Sequence, residues 1–392
     1  SDLSGLKGRQ ASDLALSLAL AGCDESQIFD QLGTIAEKEL LGRQRSLVTV
    51  QQMLERLATA GYRQQDYPGV FKAGLTALKR LSCPSSSNLR DLEVGNYSLH
   101  SPRPLLWLFR HSTRQGRRCI PPRASKVHEA VERLRQSSQP LVIDLGCGFG
   151  ASSLGLAQGG HAVLAVDASA HCIRYATALS RRWQLPQRQV SFVQCAAEDA
   201  LAAVRSVEMA AVKWILINFP TPFAAPESDG AREEMVTSGN SHLPETFDSA
   251  DFMANMKMLE DARQCLLERG CSDGAGLLVQ SNVEDVAVML RQMAEANGWE
   301  TVMDPSMGTF VEELQASQWQ PRRQQQFAAA AQQRAKGPGW LTSSPLPRLA
   351  RTETEAYYTA ESLAIHRVAL RPKCPVFCCL RVVKKRYLLK AP

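Results

Sequence analysis

The chain has 392 residues, of which 44% are hydrophobic and 21% are charged. This length leaves room for two or three domains that each bury a core, and the composition excludes a disordered or fibrous protein. Lys and Arg number 45 against 39 Asp and Glu, so the net charge is +6. An excess this small indicates a nucleic-acid partner only where the positive charge is concentrated.

The eleven cysteines favour free thiols over a secreted disulfide framework, because their number is odd and the chain is long. Several lie in apolar runs, where a thiol acts as a small hydrophobic group; these are Cys147, Cys172 and Cys195. A second group lacks the Cys-x-x-Cys spacing of zinc ligands, and no metal site is expected there; it comprises Cys374, Cys378 and Cys379.

The sequence predicts an intracellular protein of a reducing compartment. No apolar run approaches the roughly 18 residues of a membrane-spanning helix, so no membrane span is expected. Because the sequence starts at Ser1 rather than Met, both the cytoplasm and an organelle remain open, the latter being a mitochondrion or plastid reached before removal of a presequence.

Residues 1–93 are predicted to form an N-terminal helical domain. Apolar residues recur at helical spacing between Ser12 and Leu81, which predicts three or four helices. Residues 94–134 follow as a basic linker, because no acidic residue occurs between Val94 and His128. The positive charges of this stretch, interleaved with aromatic side chains, are Arg103, Arg110, Arg114, Arg117, Arg118, Arg123 and Lys126.

Residues 135–392 show alternating strand and helix patterns, which indicate an α/β domain with a parallel sheet covered by helices. The predicted strands are residues 141–145, 162–166, 190–193, 212–219 and 277–280. The predicted helices are residues 152–158, 171–183, 252–269 and 283–296. Two further runs, 364–370 and 376–383, predict an antiparallel hairpin at the sheet edge, and residues 305–347 are predicted to be an insertion.

The most informative residues form a glycine-rich loop between the first predicted strand and its helix. Gly146, Gly148 and Gly150 stand at alternate positions, where they permit positive φ and close approach of a ligand. The same string fits a dinucleotide fingerprint, with a pyrophosphate at the helix N-terminus. The loop alone therefore leaves an NAD-dependent oxidoreductase as an alternative.

Acidic residues after three successive strands favour S-adenosylmethionine over a dinucleotide. Asp144 would repel a pyrophosphate, but it suits the cationic amino group of a methionine moiety. Asp167 ends the second strand and is placed to accept both ribose hydroxyls. Glu198 and Asp199 follow the third strand and are placed to meet the adenine amino group. Any one of them alone fits a helix cap or a solvated loop, but together they predict a cofactor site.

These residues resemble the signature of the class I S-adenosylmethionine-dependent methyltransferases. The resemblance implies a seven-stranded Rossmann-like sheet whose last strand is antiparallel, which agrees with the predicted terminal hairpin. Residues 218–223, Asn-Phe-Pro-Thr-Pro-Phe, resemble the Asn-Phe-Pro-Asp-Pro-Trp motif of the tRNA (guanine-N7)-methyltransferases. Thr221 stands where that family has Asp. The resemblance implies that Asn218 and Thr221, together with Thr352 and Glu355 near the chain end, face the target base.

The substitution at Thr221 leaves two hypotheses. Guanine N7 has a free lone pair, so its methylation needs alignment and exclusion of water but no general base. The chain is therefore interpreted as an RNA methyltransferase that acts on tRNA or ribosomal RNA. The alternative is a catalytically impaired subunit of a larger assembly, such as a mitochondrial ribonucleoprotein, with protein partners. The basic stretch favours RNA over a solvated linker, because it directly precedes a domain that resembles RNA-modifying enzymes.

Overall fold

The structure is a computed structural model that describes residues 3, 5–42, 46–81, 124–207, 211–220, 254–270, 274–282, 284–302, 335, 338–360 and 363–373. Its strands are β1 Leu141–Leu145, β2 Ala162–Asp167, β3 Val190–Gln194, β4 Val212–Asn218, β5 Gly276–Ser281, β6 Trp299–Thr301 and β7 His366–Pro372. Its helices are α1 Gly8–Leu20, α2 Ser26–Leu41, α3 Leu47–Thr59, α4 Pro68–Leu81, α5 Ala124–Arg135, α6 Ala151–Gln158, α7 Ala170–Arg182, α8 Ala197–Ser206, α9 Met256–Arg269, α10 Glu284–Ala296 and α11 Glu353–Ala360.

The strands form a seven-stranded sheet in the order β3-β2-β1-β4-β5-β7-β6. The pairs β1–β4, β2–β3 and β4–β5 are parallel, whereas β7 is antiparallel to both β5 and β6. The predicted Rossmann-like sheet with an antiparallel last strand is therefore confirmed, as are the N-terminal helices. The five strands predicted between residues 141 and 280 occur with nearly the predicted bounds.

Several elements of the fold escape the sequence patterns, among them α8, α11, β6 and α5. Strand β6 has three residues, Trp299–Thr301, too few to show alternation, and it pairs with β7. Helix α5 lies at the end of the range predicted as a linker; its apolar side chains bury at helical spacing, although charged residues separate them. These side chains are Val127, Ala130, Val131 and Leu134. Residues 376–383 and most of the predicted insertion lie outside the described residues.

The chain divides into two compact units. Unit 1 comprises residues 1–122, 147–195 and 347–363, and unit 2 comprises residues 123–146, 196–346 and 364–392. Unit 1 thus contains α1 to α4, α6, α7, α11, β2 and β3. Unit 2 contains α5, α8 to α10 and the remaining strands.

The N-terminal helices of unit 1 share one hydrophobic core with α7. Phe29 and Leu57 from the N-terminal helices are fully buried in the same cluster as Tyr175 and Leu179 of α7. Phe149 of the glycine loop belongs to this cluster as well. The first four helices therefore do not enclose a core of their own.

Three donors on or directly after α7 bind successive carbonyls at the C-terminal end of α3. A helix leaves its last carbonyls without intrahelical partners, and their partial negative charge favours a cationic donor. The pairs are Tyr175 hydroxyl with Thr59, Arg182 guanidinium with Ala60, and Trp183 indole N–H with Gly61, the last over 2.9 Å. These bonds anchor α3 on α7.

Helix α6 makes an unusually close backbone contact within unit 1. A Cβ on Gly155 would lie 1.7 Å from the carbonyl oxygen of Leu349, in the 3-10 turn Arg348–Ala350. Ser152 and Ser153 of α6 are buried, as Gly155 is. Only glycine lets the turn pass this close to the helix.

We expect Gly155→Ala to lower the free energy of unfolding by about 1–3 kcal/mol, because the new methyl group overlaps a backbone oxygen. Alanine normally improves a helix interior by about 1 kcal/mol relative to glycine, so the sign of the effect is diagnostic. Gly159→Ala at the end of the same helix is the control, because its Cβ would come no nearer than 3.3 Å to another atom. Urea denaturation measures both; an unchanged or increased stability of Gly155→Ala contradicts the close contact.

Candidate active site

The glycine-rich loop adopts the backbone conformation that its residue types permit. Gly146, Gly148 and Gly150 have φ values of +74°, +55° and +79°, a region that residues with a side chain rarely occupy. A Cβ on Gly150 would lie 2.7 Å from the Phe192 ring and 2.9 Å from the Ala176 methyl group. The third glycine therefore allows the start of α6 to pack closely within unit 1.

The carboxylate of Asp167 holds this loop in unit 1. Its Oδ2 accepts a hydrogen bond from the Gly148 N–H at 2.9 Å, and its Oδ1 accepts one from the Ser169 N–H at 2.7 Å. The Cys147 N–H donates to the Val166 carbonyl at 2.9 Å. Each carboxylate oxygen keeps further lone-pair capacity, so these bonds are compatible with a ligand hydroxyl at the same side chain.

Burial of the Asp167 carboxyl raises its pKa above the ordinary 3.8, although hydrogen bonds from the Ser169 and Gly148 backbones oppose the shift. The charged form is therefore held at this position at a cost in solvation, which the two backbone donors partly offset.

Phe149 connects the glycine loop to α7. Its buried ring meets the Tyr175 ring edge to face, with centroids 5.2 Å apart and an interplanar angle of 81°. The His171 ring contacts it in the same manner at 5.8 Å. Burial lowers the pKa of His171, and Arg174 adds to this shift. The loop backbone on both sides of Phe149 is thus supported by aromatic packing.

A row of four polar side chains crosses the sheet of unit 2. The Arg367 Nε donates to Gln280 Oε1 at 2.7 Å, and Gln280 Nε2 donates to Asn218 Oδ1 at 2.8 Å. Asn218 Nδ2 in turn donates to Asp144 Oδ1 at 3.4 Å. The exposed fractions of the four are 8%, 0%, 8% and 1% from Arg367 to Asp144. We call this row the polar relay.

Strand register explains the polar relay. Arg367 is the direct partner of Gln280 on β7 and β5, and Gln280 is the partner of Asn218 on β5 and β4. Asp144 pairs with Leu216, two positions from Asn218 and so on the same face. Gln280 and Arg367 are not among the site residues predicted from the sequence; the available signal was a polar residue inside otherwise apolar buried strands.

The residue after Asn218 has an unusual backbone conformation. Phe219 has φ of +52° and precedes Pro220, a position that normally adopts an extended conformation. Its N–H donates to the Gln280 carbonyl at 2.7 Å, which holds the turn against the end of β5. A non-glycine residue in the left-handed region costs of order 1–3 kcal/mol, and such residues cluster at functional sites.

Thr352 and Glu355 have a structural role at the start of α11 in unit 1. The Thr352 hydroxyl oxygen accepts a hydrogen bond from the Glu355 N–H at 3.0 Å, as a helix N-cap does. The Glu355 side chain is fully buried, and its Oε1 lies 4.0 Å from the Arg351 Nε. Their role beside a target base stays a prediction.

The remaining site residues fall on surfaces or outside the described chain. Glu198 and Asp199 lie in the first turn of α8, half-buried and exposed respectively. Lys126 is exposed on α5. Thr221 and the six arginines predicted to bind RNA lie outside the described residues.

Neither a metal cluster nor a membrane span occurs in the part of the chain that the structure describes. There, no three His, Cys, Asp or Glu side chains are grouped so that they could hold a metal ion. None of the helices in these ranges combines the length and apolar character needed to cross a bilayer.

Residues 142–225 match a family model described as a methyltransferase domain. The matched range contains most of β1, the glycine loop, Asp167 and β4. No curated protein matches the sequence.

The chain is similar to several solved structures at low sequence identity. A 16S rRNA methyltransferase, KamB, is 14% identical, covering 62% of this chain and 92% of its own, with a TM-score of 0.31. The aminoglycoside resistance methyltransferase NpmB1 is 17% identical with the same coverage and a TM-score of 0.30. An rRNA methylase from Streptococcus thermophilus is 12% identical, covering 45% of this chain and 84% of its own, with a TM-score of 0.27.

Asp167→Asn tests the hydrogen bonds that hold the glycine loop. We expect it to lower the free energy of unfolding by about 1–3 kcal/mol, because the amide replaces one acceptor with a donor that faces a backbone N–H. Asp199→Asn makes the same exchange on an exposed side chain and should change the stability by less than about 0.5 kcal/mol.

The difference in the free energy of unfolding between wild type and Asp167→Asn should change with pH in a defined direction. Because the folded-state pKa of Asp167 is raised, the native state binds more protons than the unfolded state between the ordinary and the raised value. The stability that the carboxyl contributes is present below its ordinary pKa of 3.8 and is lost as the pH rises through the folded value. Urea denaturation at a series of pH values should show that the stability difference between wild type and Asp167→Asn decreases as the pH rises, without vanishing; a difference that grows contradicts the shift.

Proposed function

Because the chain has the class I S-adenosylmethionine-dependent methyltransferase fold, with S-adenosylmethionine as its cofactor, we propose that it methylates RNA in the manner of the tRNA (guanine-N7)-methyltransferases. The observation that carries the proposal is the glycine loop with three positive φ values between acidic residues at the ends of β1 and β2. The basic stretch before the domain supplies the argument for RNA.

The loop and the acidic residues fit the cofactor chemically. Asp144 is 1% exposed, and a cationic amino group is the partner that a buried carboxylate favours. Asp167 retains acceptor capacity for ribose hydroxyls, and the glycines leave the backbone open to a ligand. Glu198 and Asp199 stay proposed partners of the adenine. S-adenosylmethionine supplies an electrophilic methyl group on a sulfonium.

The side chains proposed to contact the methyl-accepting base would act by positioning it. Guanine N7 attacks with its own lone pair, so the protein must align the base and exclude water. Asn218 ends β4 directly before Phe219, whose φ is positive, a backbone conformation that clusters at functional sites. Thr221, Thr352 and Glu355 stay proposed partners of the base by resemblance alone, with the Glu355 carboxylate as the proposed acceptor for guanine N–H groups.

A second candidate is a catalytically impaired subunit of the same fold. Thr221 lacks the carboxylate of the resembled family, and Thr352 is used to cap α11. A subunit of this kind would bind the cofactor, RNA or protein partners without transferring a methyl group.

Transfer of labelled methyl groups from S-adenosylmethionine to bulk tRNA and ribosomal RNA tests the proposal, with mass spectrometry of the nucleosides to identify the product. We expect 7-methylguanosine. Cofactor binding without any transfer favours the impaired subunit. Tight NADH binding without S-adenosylmethionine binding would overturn the proposal in favour of an oxidoreductase.

Asp144→Asn tests the proposed contact with the methionine amino group. Removing the charge at constant shape should weaken S-adenosylmethionine binding by roughly 10- to 100-fold, because a hydrogen bond to a charged group is lost. Isothermal titration calorimetry measures the affinity. Asp261→Asn, an exchange on α9 that breaks a surface ion pair with Lys257, should leave it unchanged. Equal affinities of wild type and Asp144→Asn contradict the assignment.

Thr221→Asp distinguishes the two candidates. If the fold is competent and Thr221 limits the rate, the variant should transfer methyl groups faster than the wild type at saturating cofactor. Thr221→Val, which removes the hydroxyl without adding a carboxylate, is the control and should give no gain. Absence of transfer in both variants, with cofactor binding intact, favours the non-catalytic subunit.

A further inference from the structure

We propose that Gln280 and Arg367 are positioning residues for the cofactor: through the polar relay they set the direction of the Asn218 amide, so that its N–H group faces Asp144. This inference rests on the proposed binding of S-adenosylmethionine at Asp144. It assigns a role to two residues on β5 and β7 that do not themselves contact the reacting atoms.

The donor-to-acceptor direction of each hydrogen bond in the polar relay follows from the Arg367 guanidinium at one end. A guanidinium has donors but no acceptor, so Gln280 must turn its Oε1 toward Arg367, at 2.7 Å. Its Nε2 then points to Asn218, which must present Oδ1, at 2.8 Å. That leaves the Asn218 Nδ2 for Asp144. Every bond of the relay therefore donates toward the carboxylate.

Stability alone does not account for a relay of this kind. Its members are at most 8% exposed, and burying amides and charges costs solvation that apolar residues in the same strands would not. The neighbouring positions of β4 and β5 are Ile217 and Val279, both fully buried. A buried polar network does, however, give each side chain one orientation, and an orienting role at Asp144 is the function this row can serve.

The proposal makes a specific claim about Gln280→Glu. At about pH 8 the introduced carboxylate beside Arg367 is ionised and can only accept hydrogen bonds. Asn218 must then rotate its amide and donate to that carboxylate, which turns the Asn218 Oδ1 toward Asp144. An oxygen would replace the N–H group that now holds the Asp144 carboxylate, although the shape of the side chain is retained.

The comparison variant is Gln280→Met, which removes both polar ends of the side chain at similar volume. It leaves Arg367 without this acceptor and Asn218 without this donor, so it should lower the stability more than Gln280→Glu, which keeps a charged partner for Arg367. The Asn218 amide is not forced to rotate in this variant. Gln264→Glu on α9, half-buried and away from the relay, controls for the added charge.

Thermal unfolding and calorimetric titration with S-adenosylhomocysteine test the claim on the full chain. We expect Gln280→Glu to bind at least about tenfold more weakly than wild type, and Gln280→Met to bind more tightly than Gln280→Glu while melting at a lower temperature. Gln264→Glu should bind as wild type does. This opposite order of affinity and stability is not expected of a purely structural residue.

The outcomes separate this inference from the proposed function. If wild type does not bind S-adenosylhomocysteine or S-adenosylmethionine, the proposed function fails. If wild type binds and the affinities of the two Gln280 variants follow their melting temperatures, or equal that of wild type, the positioning role is overturned.

Discussion

The carboxylate of Asp167 joins the glycine loop to the start of α7, and the arrangement of unit 1 depends on that contact. One oxygen binds the Gly148 N–H and the other binds the Ser169 N–H, and Ser169 caps α7 with its own hydroxyl. Helix α7 then carries the donors that bind the end of α3. The loop, the helix and the N-terminal bundle are therefore one connected structure, held by backbone groups that would otherwise lack partners.

In unit 2, buried side chains bond to one another, whereas in unit 1 the Asp167 side chain bonds to backbone N–H groups. The polar relay runs across β7, β5, β4 and β1 and ends at Asp144. Around it, β4 and β5 are apolar and buried. Such a row is costly in an apolar sheet, and it lies at the carboxyl end of the parallel strands, where open α/β sheets bind their ligands.

Local patterns predicted most of the sheet and the position of the glycine loop. The apolar runs located five strands, because a buried parallel strand must be apolar on both faces, and the alternating glycines marked the loop. Strand β6 and helix α5 were missed, since three residues show no period and charged residues interrupt the apolar positions of the helix. Thr352 and Glu355 matched a family motif, yet their spacing also fits a helix N-cap, which sequence alone does not separate from a base contact.

The sequence by itself determined the first five strands, the positions of the loop glycines and the acidic residues at the ends of β1 and β2, because these depend on local period and residue type. Only the tertiary structure decided which groups those residues meet: that Asp167 binds the Gly148 backbone, that the first four helices share a core with α7, and that Gln280 and Arg367 stand in line with Asp144. Partners of this kind come from strands and helices far apart in the chain, and strand register and packing, rather than local pattern, bring them together.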